Sequence, residues 1–458
     1  MPLSQIQKIL PSPVKEVLSR LRRAGYECYL VGGCLRDILM GRQPHDWDIT
    51  TAAHPLETKA AFPDAQIIET GLRHGSVTVC LHHLPMEITT YRIDGHYSDG
   101  RHPDCVAFTN DLTADLSRRD FTVNAVAYHP TEGLIDPFGG RKDIENRIIR
   151  CVGSPVKRFS EDSLRILRAL RFASVLGFTL ENNTAAALHS QKNELQHIAA
   201  ERILSELKKL LCGSQAGTVL TKFRDVLTVP IPELEGLSDT IWKHTVQTVI
   251  CCPEDPALRF SALLHHCEDE NLSVPSGNGT DAKIIRRKKT PVSTNAIRIL
   301  HRLRADNALC ASVSGILIES DTVLTGKADI RRLLGRIGPS ALFSLTTFLR
   351  AHRAADAAVP IQRMAHSPWQ NVCESLTEAL LPEEIDAIAR EIIRSGDCCS
   401  LKDLAVKGED LLSLGYRGRE IGETLALLLE QVIQDALPND KSALLAFAQS
   451  RKNDCGMQ

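Results

Sequence analysis

The sequence predicts an α+β protein in which a mixed sheet with helices comes first and helices alone follow. Two observations predict it. Up to about residue 140, short strand-like apolar runs alternate with a few helical stretches, whereas beyond Gly139-Gly140 the apolar positions recur almost entirely at helical spacing. The chain is also long, at 458 residues, enough for about three domains at ~150 residues each.

The elements follow in order. Ser12-Pro13 suits a helix start, with a hydroxyl cap before a proline at the first helical position. Val14, Val17, Leu18 and Leu21 mark its apolar face, and Gly25 suits its end. Glu27 to Val31 reads as a strand, broken by Gly32-Gly33. Cys34 to Met40 reads as a short helix closed by Gly41. Further strands are expected at Trp47 to Thr50, Val77 to Leu81 and Met86 to Arg92. The clearest helices beyond them are Ser160 to Leu176, Ala199 to Leu211, Pro256 to His265 and Ile421 to Val432. Residues 271–296 read as a loop carrying the basic run Arg286 to Lys289, and no fixed-period repeat is apparent.

Composition is that of a globular chain, 43% hydrophobic and 24% charged. Aromatics make up only 5%, which argues against many bases stacked on aromatic platforms. The net charge of −2 is uninformative, but Arg141 to Arg171 carries nine basic and four acidic residues. That excess predicts a basic stripe or a solvated helix face, with neither favoured by charge alone. None of the 14 cysteines forms a C-x-x-C pair. Cys28, Cys80 and Cys212 sit in apolar runs and read as small buried side chains in a reducing compartment. No signal-peptide pattern opens the chain and no apolar run reaches ~18 residues, so a cytoplasmic protein without membrane contact is expected.

One stretch resists explanation as core: VGGCLRDILMGRQPHDWDITT, Val31 to Thr51. On a strand, Asp46 and Asp48 point to one face, ~7 Å apart, while Trp47 and Ile49 point to the core. Two carboxylates so placed repel unless a cation joins them, and hard oxygen ligands suit magnesium bound with substrate phosphates. Alone, D-x-D is equally a polar strand edge or an Asx turn. Gly32-Gly33 between strand and helix would offer backbone amides to a phosphate, and Arg36, one turn in, could add a charge-assisted bond. The spacing excludes an EF-hand, a P-loop and a dinucleotide fingerprint.

With these residues the chain resembles the class II tRNA nucleotidyltransferases, which comprise the CCA-adding enzymes and the bacterial poly(A) polymerases. The resemblance rests on GGCLRDILMG followed by DWD, on RRDFTVNA (Arg118 to Ala125), DPFGGRKDI (Asp136 to Ile144), EDSLR (Glu161 to Arg165) and ERILSEL (Glu201 to Leu207). LAVKGEDLLSLGYRGREIGETL is similar, more loosely, to the family's tail. The family implies a polymerase-β-like nucleotidyltransferase head at 1–140, then an all-α neck at 141–212, body at 213–370 and tail at 371–458. It implies template-independent addition of CCA to tRNA 3′ ends from CTP and ATP. Asp46 and Asp48 would hold two Mg2+ ions, with Glu87 as a third carboxylate. Gly32, Gly33, Arg36, Arg119 and Asn124 would grip the triphosphate, while an internal ion pair between Arg118 and Asp120 is at least as natural as a site role.

The EDSLR helix offers a way to choose bases. Ser160 is expected to cap it, with Glu161 and Asp162 in its first turn. Asp162 can accept from the exocyclic amine of cytosine or adenine, and Arg165 can donate to the ring nitrogen. An ordinary i,i+3 ion pair is the bland alternative. Arg168 continues the stripe. The family assigns Arg171 to the nucleotide as well, although its helical position turns it toward a carboxylate or an RNA phosphate.

The run KHTVQTV…DPALRFSALLHH resembles the HD-type body of some relatives, but His266 stands where the metal-binding aspartate is needed. A second metal cluster is therefore not expected around His244, His265 and His266, and a zinc-binding histidine pair is the lesser reading. RIDGHYSDGRHPD, Arg92 to Asp104, matches the loop whose shortening marks CC-adding relatives, so terminal A addition is expected. Rival functions are an A-adding enzyme or poly(A) polymerase, an RNA-binding protein with a dead head, and a metal phosphohydrolase, the last disfavoured by His266.

Overall fold

The computed structural model describes residues 3–69, 71–72, 75–95, 106–267, 291–360 and 379–455. The chain divides into two compact units, Met1–Glu235 and Gly236–Gln458. The expected head and neck fall together in the first, along with the opening of the expected body, residues 213–235.

The first unit is built on a seven-stranded sheet. In chain order the strands are β1 (Cys28–Val31), β2 (Asp48–Thr51), β3 (Gln66–Ile68), β4 (Ser76–Leu81), β5 (Leu84–Thr90), β6 (Arg92–Asp94), β7 (Val106–Phe108), β8 (Ala127–His129) and β9 (Gly133–Ile135). The sheet runs β3-β4-β5-β2-β1-β8-β9, with β6 and β7 as a separate antiparallel ribbon. Neighbours are antiparallel except β2 and β5, which are parallel. Alternation sorts the side chains. Leu30, Ile49, Val77, Val79 and Ile88 join a core that includes Val14, Val17, Leu18 and Leu21 of helix Ser12–Arg23 and Cys34, Leu35 and Ile38 of helix Gly32–Leu39. Tyr29, Val31 and Ala127 face the other way, toward Leu112, Leu116 and Val152. Ser12 is the first residue of its helix and not its cap, which falls at Pro11 with no side-chain bond. The Arg92 to Asp104 segment opens with β6, and its residues 96–104 lie outside the described residues.

The DPFGGRKDI stretch explains itself structurally. Asp136 accepts from the amides of Gly140 and Arg141 at 2.7 and 2.8 Å, and so opens helix Gly140–Asn146. Gly139 takes φ +74°, and a Cβ on Gly140 would lie 2.1 Å from the Thr122 carbonyl oxygen. Thr122 in turn donates to Asp143 at 2.7 Å. The motif thereby fixes the short 3-10 turn Thr122–Asn124 that carries Asn124.

Helices follow. The expected helix from Ser160 to Leu176 is two, Pro155–Glu161 and Leu164–Leu176, broken at Asp162-Ser163. Ser160 caps nothing; its hydroxyl donates to the Val156 carbonyl. The expected basic stripe is largely neutralised: Arg141, Arg150, Arg158, Arg165, Arg168 and Arg171 all form ion pairs.

The second unit is helical. Its long helix, Lys327–Ala358, breaks at Gly338 (φ +78°) ahead of Pro339. Residues Leu324 to Leu345 pack there with Ile385, Ala389 and Ile392 of helix Pro382–Ser395. A separate core joins Leu404, Leu411, Tyr416, Leu428 and Leu444. Of the expected loop 271–296, residues up to 290 lie outside the described residues, and from Pro291 the chain is helix Pro291–Arg302. The expectation that no second set of metal ligands could assemble is overturned. His244, His265 and His266 come together with His352, which the long helix supplies. Of the three cysteines read as small buried side chains, Cys28 is buried, but Cys80 and Cys212 are only half-buried. No helix among the described residues is long and apolar enough to cross a membrane.

The two hinge glycines make separable predictions. Gly139→Ala should cost about 1 kcal/mol, for a left-handed backbone in open space. Gly140→Ala should cost more, about 3 kcal/mol, because its methyl meets the Thr122 backbone. Urea unfolding of the two variants checks the order; equal losses would contradict it.

Candidate active site

The register of three strands places the carboxylates. Val31 of β1 is opposite Asp48 of β2, and Asp48 is opposite Glu87 of β5. Paired residues share a face, so Asp48 and Glu87 point together, away from Ile49 and the larger core. Asp46 is not in the strand, which opens at Asp48; it sits exposed in the approach. Trp47 and Ile49 are buried in the core, as the alternation predicts. Burial, then the negative charges of Asp46 and Glu87, push the Asp48 carboxyl up to about 6, against the pull of Arg119 and Arg36. Asp48 and Glu87 thus share one face, with Asp46 near enough for its charge to be felt. That donor set fits a hard divalent cation, whose charge would relieve the repulsion.

The glycine bend lies against this point. Gly32 has φ +73°, and a Cβ there would lie 3.0 Å from Asp48 Oδ2 and 3.5 Å from Arg119 Nη1. Only glycine leaves room for a ligand between bend, carboxylate and guanidinium. Gly32 and Gly33 open the helix Gly32–Leu39, and both line a cleft of about 290 Å³ with Asp48, Arg119, Asn124, Asp162, Arg165 and Arg168. A neighbouring cavity of about 490 Å³ shares Asp48, Arg118 and Arg119 and adds Glu87.

Arg36 and Arg171 are not on the wall of the 290 Å³ cleft. Arg36 Nη1 donates to Asn124 Oδ1 at 2.8 Å, and Asn124 Nδ2 donates to Asp120 Oδ1 at 3.1 Å. Arg168 closes on the other oxygen of Asp120 through Nε (3.0 Å) and Nη2 (2.6 Å). The suggested Arg118–Asp120 pair does not form: Arg118 binds Asp115 at 2.7 Å, and Asp120 takes Arg168. Burial alone would raise the Asp120 carboxyl, but the Arg168 charge and hydrogen bond hold it well below the carboxylate range. Arg171 meets Glu206 at 2.9 Å, the carboxylate contact its helical position implied. Arg36, Arg168 and Arg171 all lie over the Phe172 ring, 5.3, 5.5 and 4.2 Å from its centre.

Asp162 and Arg165 both face the cleft, but not as neighbours on one helix. Asp162 stands in the break, accepting from the Leu164 amide at 3.1 Å and from Arg202 at 2.8 Å. Arg165 donates to Glu161 (2.7 Å) and to the carbonyls of Arg158 (3.1 Å) and Arg118 (3.3 Å). The bland i,i+3 ion pair is replaced by separate anchors for each group.

Sequence reading missed Asp115, Arg202 and Glu206. Asp115 is fully buried and binds Arg118, Arg119 and the Thr50 hydroxyl. A lone aspartate in a short helix gives no sequence signal. Arg202 and Glu206 did give one: they are four apart within ERILSEL, hence on one helix face.

Comparison with known proteins places this geometry. Three family models match: "Poly A polymerase head domain" over residues 28–150, "Probable RNA and SrmB- binding site of polymerase A" over 177–234 and "tRNA nucleotidyltransferase domain 2 putative" over 372–448. The chain is 44% identical over 430 residues to the CCA-adding enzyme of Lactobacillus helveticus, covering 93% of this chain and 94% of that one. It is 34% identical over 439 residues to the CCA-adding enzyme of Levilactobacillus brevis, covering 94% and 96%. Among solved structures it is similar to the Bacillus stearothermophilus CCA-adding enzyme in complex with CTP, with TM-score 0.71, 28% identity and coverage of 97% and 100%. The chain belongs to the tRNA nucleotidyltransferase and poly(A) polymerase family.

Proposed function

We propose that this protein is a transferase that adds C, C and A to tRNA 3′ ends from CTP and ATP, without a nucleic-acid template and with release of pyrophosphate. One observation carries the reading: Asp48, the Gly32 bend, Arg119 and the pair Asp162 and Arg165 share a single cleft. Catalytic carboxylates, a phosphate cradle and base-sized hydrogen-bonding edges thus lie within reach of one nucleotide. Relatives named as CCA-adding enzymes, one solved with CTP, support the substrate assignment.

In this reading Asp46 and Asp48, with Glu87 beside them, would hold magnesium, which when bound would supply positive charge for the triphosphate and for the attacking 3′-hydroxyl. The chain's own residues position the partners. The amides of Gly32 and Gly33 and the Arg119 guanidinium take the triphosphate oxygens. Asn124, fixed between Arg36 and Asp120, offers a polar edge toward the sugar and phosphates. Asp162 accepts from the exocyclic amine shared by cytosine and adenine, and Arg165 donates to the ring nitrogen. Uracil and guanine present the opposite polarity, which would leave buried groups unpaired. Arg168 holds this edge against the head through Asp120, and Arg171 ties the same helix to Glu206 of the neck.

The direct test supplies purified protein with tRNA ending at the discriminator base, together with CTP, ATP or both, and sequences the products. Three added residues, C-C-A, are expected; addition of A alone to tRNA already ending in CC would assign an A-adding enzyme. Asp46→Ala should abolish addition while tRNA still binds. Asp48→Asn separates function from stability. Asp48 holds its proton more tightly when folded than unfolded, so its ionised form destabilises the metal-free protein, and the penalty fades as pH falls from about 6 toward the ordinary carboxylate value. The neutral amide should therefore end activity yet stabilise the chelator-treated protein at pH 7.5 by about 3 kcal/mol. A loss of stability in urea would count against the convergence of charge. Arg165→Ala should relax base choice more than it weakens triphosphate affinity, read from misincorporated UTP and GTP.

A further inference from the structure

The second unit holds a cluster that tRNA extension does not use. His244 lies on helix Asp239–Cys251, His265 and His266 follow helix Pro256–Leu264, and His352 comes from helix Lys327–Ala358. One potential ligand atom from each lies within 4.8 Å of the others. His244, His265 and His352 are buried, and His266 nearly so. Four polar rings gathered in one buried place cost desolvation that apolar side chains would not.

We propose that these four imidazoles bind one divalent transition ion of the zinc class, which ties the three helices together. The hydrogen bonds around the rings assign the ligand atoms. His265 Nδ1 lies 2.6 Å from the Ala262 carbonyl, so it carries the proton and leaves Nε2 as ligand. Asp356 holds His244 Nε2 at 3.1 Å and reaches His352 Nδ1 at 3.4 Å, which leaves His244 Nδ1 and His352 Nε2. His266 Nε2 is 3.2 Å from His244 Nδ1. Zinc–nitrogen bonds of ~2.0–2.1 Å in a tetrahedron separate the nitrogens by roughly 3.4 Å. That pair is therefore already at ligand spacing, and the other rings need only small movements. Imidazoles oriented by a carboxylate and a backbone carbonyl are the ordinary support of such a centre. Nitrogen donors select zinc, nickel or copper over magnesium, so this site does not compete with the carboxylates of the head. His266, which removes the aspartate of an HD-type centre, here supplies the fourth nitrogen. A centre with four protein ligands leaves no open position for hydrolysis, so its role is structural.

The test titrates the full-length, chelator-treated protein with Zn2+ in a large excess of Mg2+, and with Co2+ as a spectroscopic probe. One tightly held Zn2+ per chain is expected, with the visible absorption of tetrahedral cobalt and no thiolate charge-transfer band. His266→Gln and His352→Gln should each weaken zinc binding by more than ~100-fold, and Asp356→Asn, which removes only ring support, by ~10–100-fold. Asp46→Asn should leave zinc binding unchanged. Absence of tight Zn2+ in the wild-type protein would overturn the proposal, whatever the variants do. So would a thiolate band, or undiminished binding in both histidine variants, since either would assign the metal to cysteine.

Discussion

Asp48 and Glu87 face each other across adjacent parallel strands, and two carboxylates in that register repel. The sheet imposes the clash. Ile49 and Ile88, next along the same strands, are locked into the core on the opposite face, so neither strand can slip by one residue without turning an isoleucine to solvent and an acid inward. The fold thus spends part of its hydrophobic stabilisation on holding an unfavourable electrostatic arrangement in place. Repulsion of this kind is useful only where a cation and a polyphosphate will arrive, and the glycine bend at Gly32 keeps that space open.

A second network holds the base-facing helix to this sheet. It runs from Arg36 through Asn124 and Asp120 to Arg168, then through Glu206 to Arg171, with the Phe172 ring under three guanidiniums. Buried ion pairs are poor sources of net stability, because desolvation offsets much of their attraction. Their value here is geometric. They set the distance between the glycine bend and the edge formed by Asp162 and Arg165, and a hydrophobic contact of equal strength would not set it so narrowly.

Much of this was legible in the sequence. The alternation around Trp47 and Ile49, the glycine bend and the helical character beyond residue 140 follow from periodicity and backbone chemistry. The cleft residues came from three of the five spaced motifs, which no single motif would have supplied. What was not legible depended on partners distant in sequence. Asp120 takes Arg168 and not Arg118, because the helix break at Asp162-Ser163 turns Arg168 toward the head. That break is invisible to periodicity, since Asp162 closes one helix and its side chain accepts from the first amide of the next. His352 and Asp356 lie about 90 residues from His265-His266, beyond the reach of any local pattern, so the histidine cluster emerged only with the fold.

The anchoring of Arg165 has an evolutionary consequence. Among its partners are two main-chain carbonyls, those of Arg158 and Arg118. A carbonyl is retained whatever side chain the position acquires, so mutational drift at those two sites leaves the guanidinium's aim intact. The placement of Arg165 is thereby insulated from much of the genetic variation around it, and depends on the backbone's path more than on the identity of neighbouring residues.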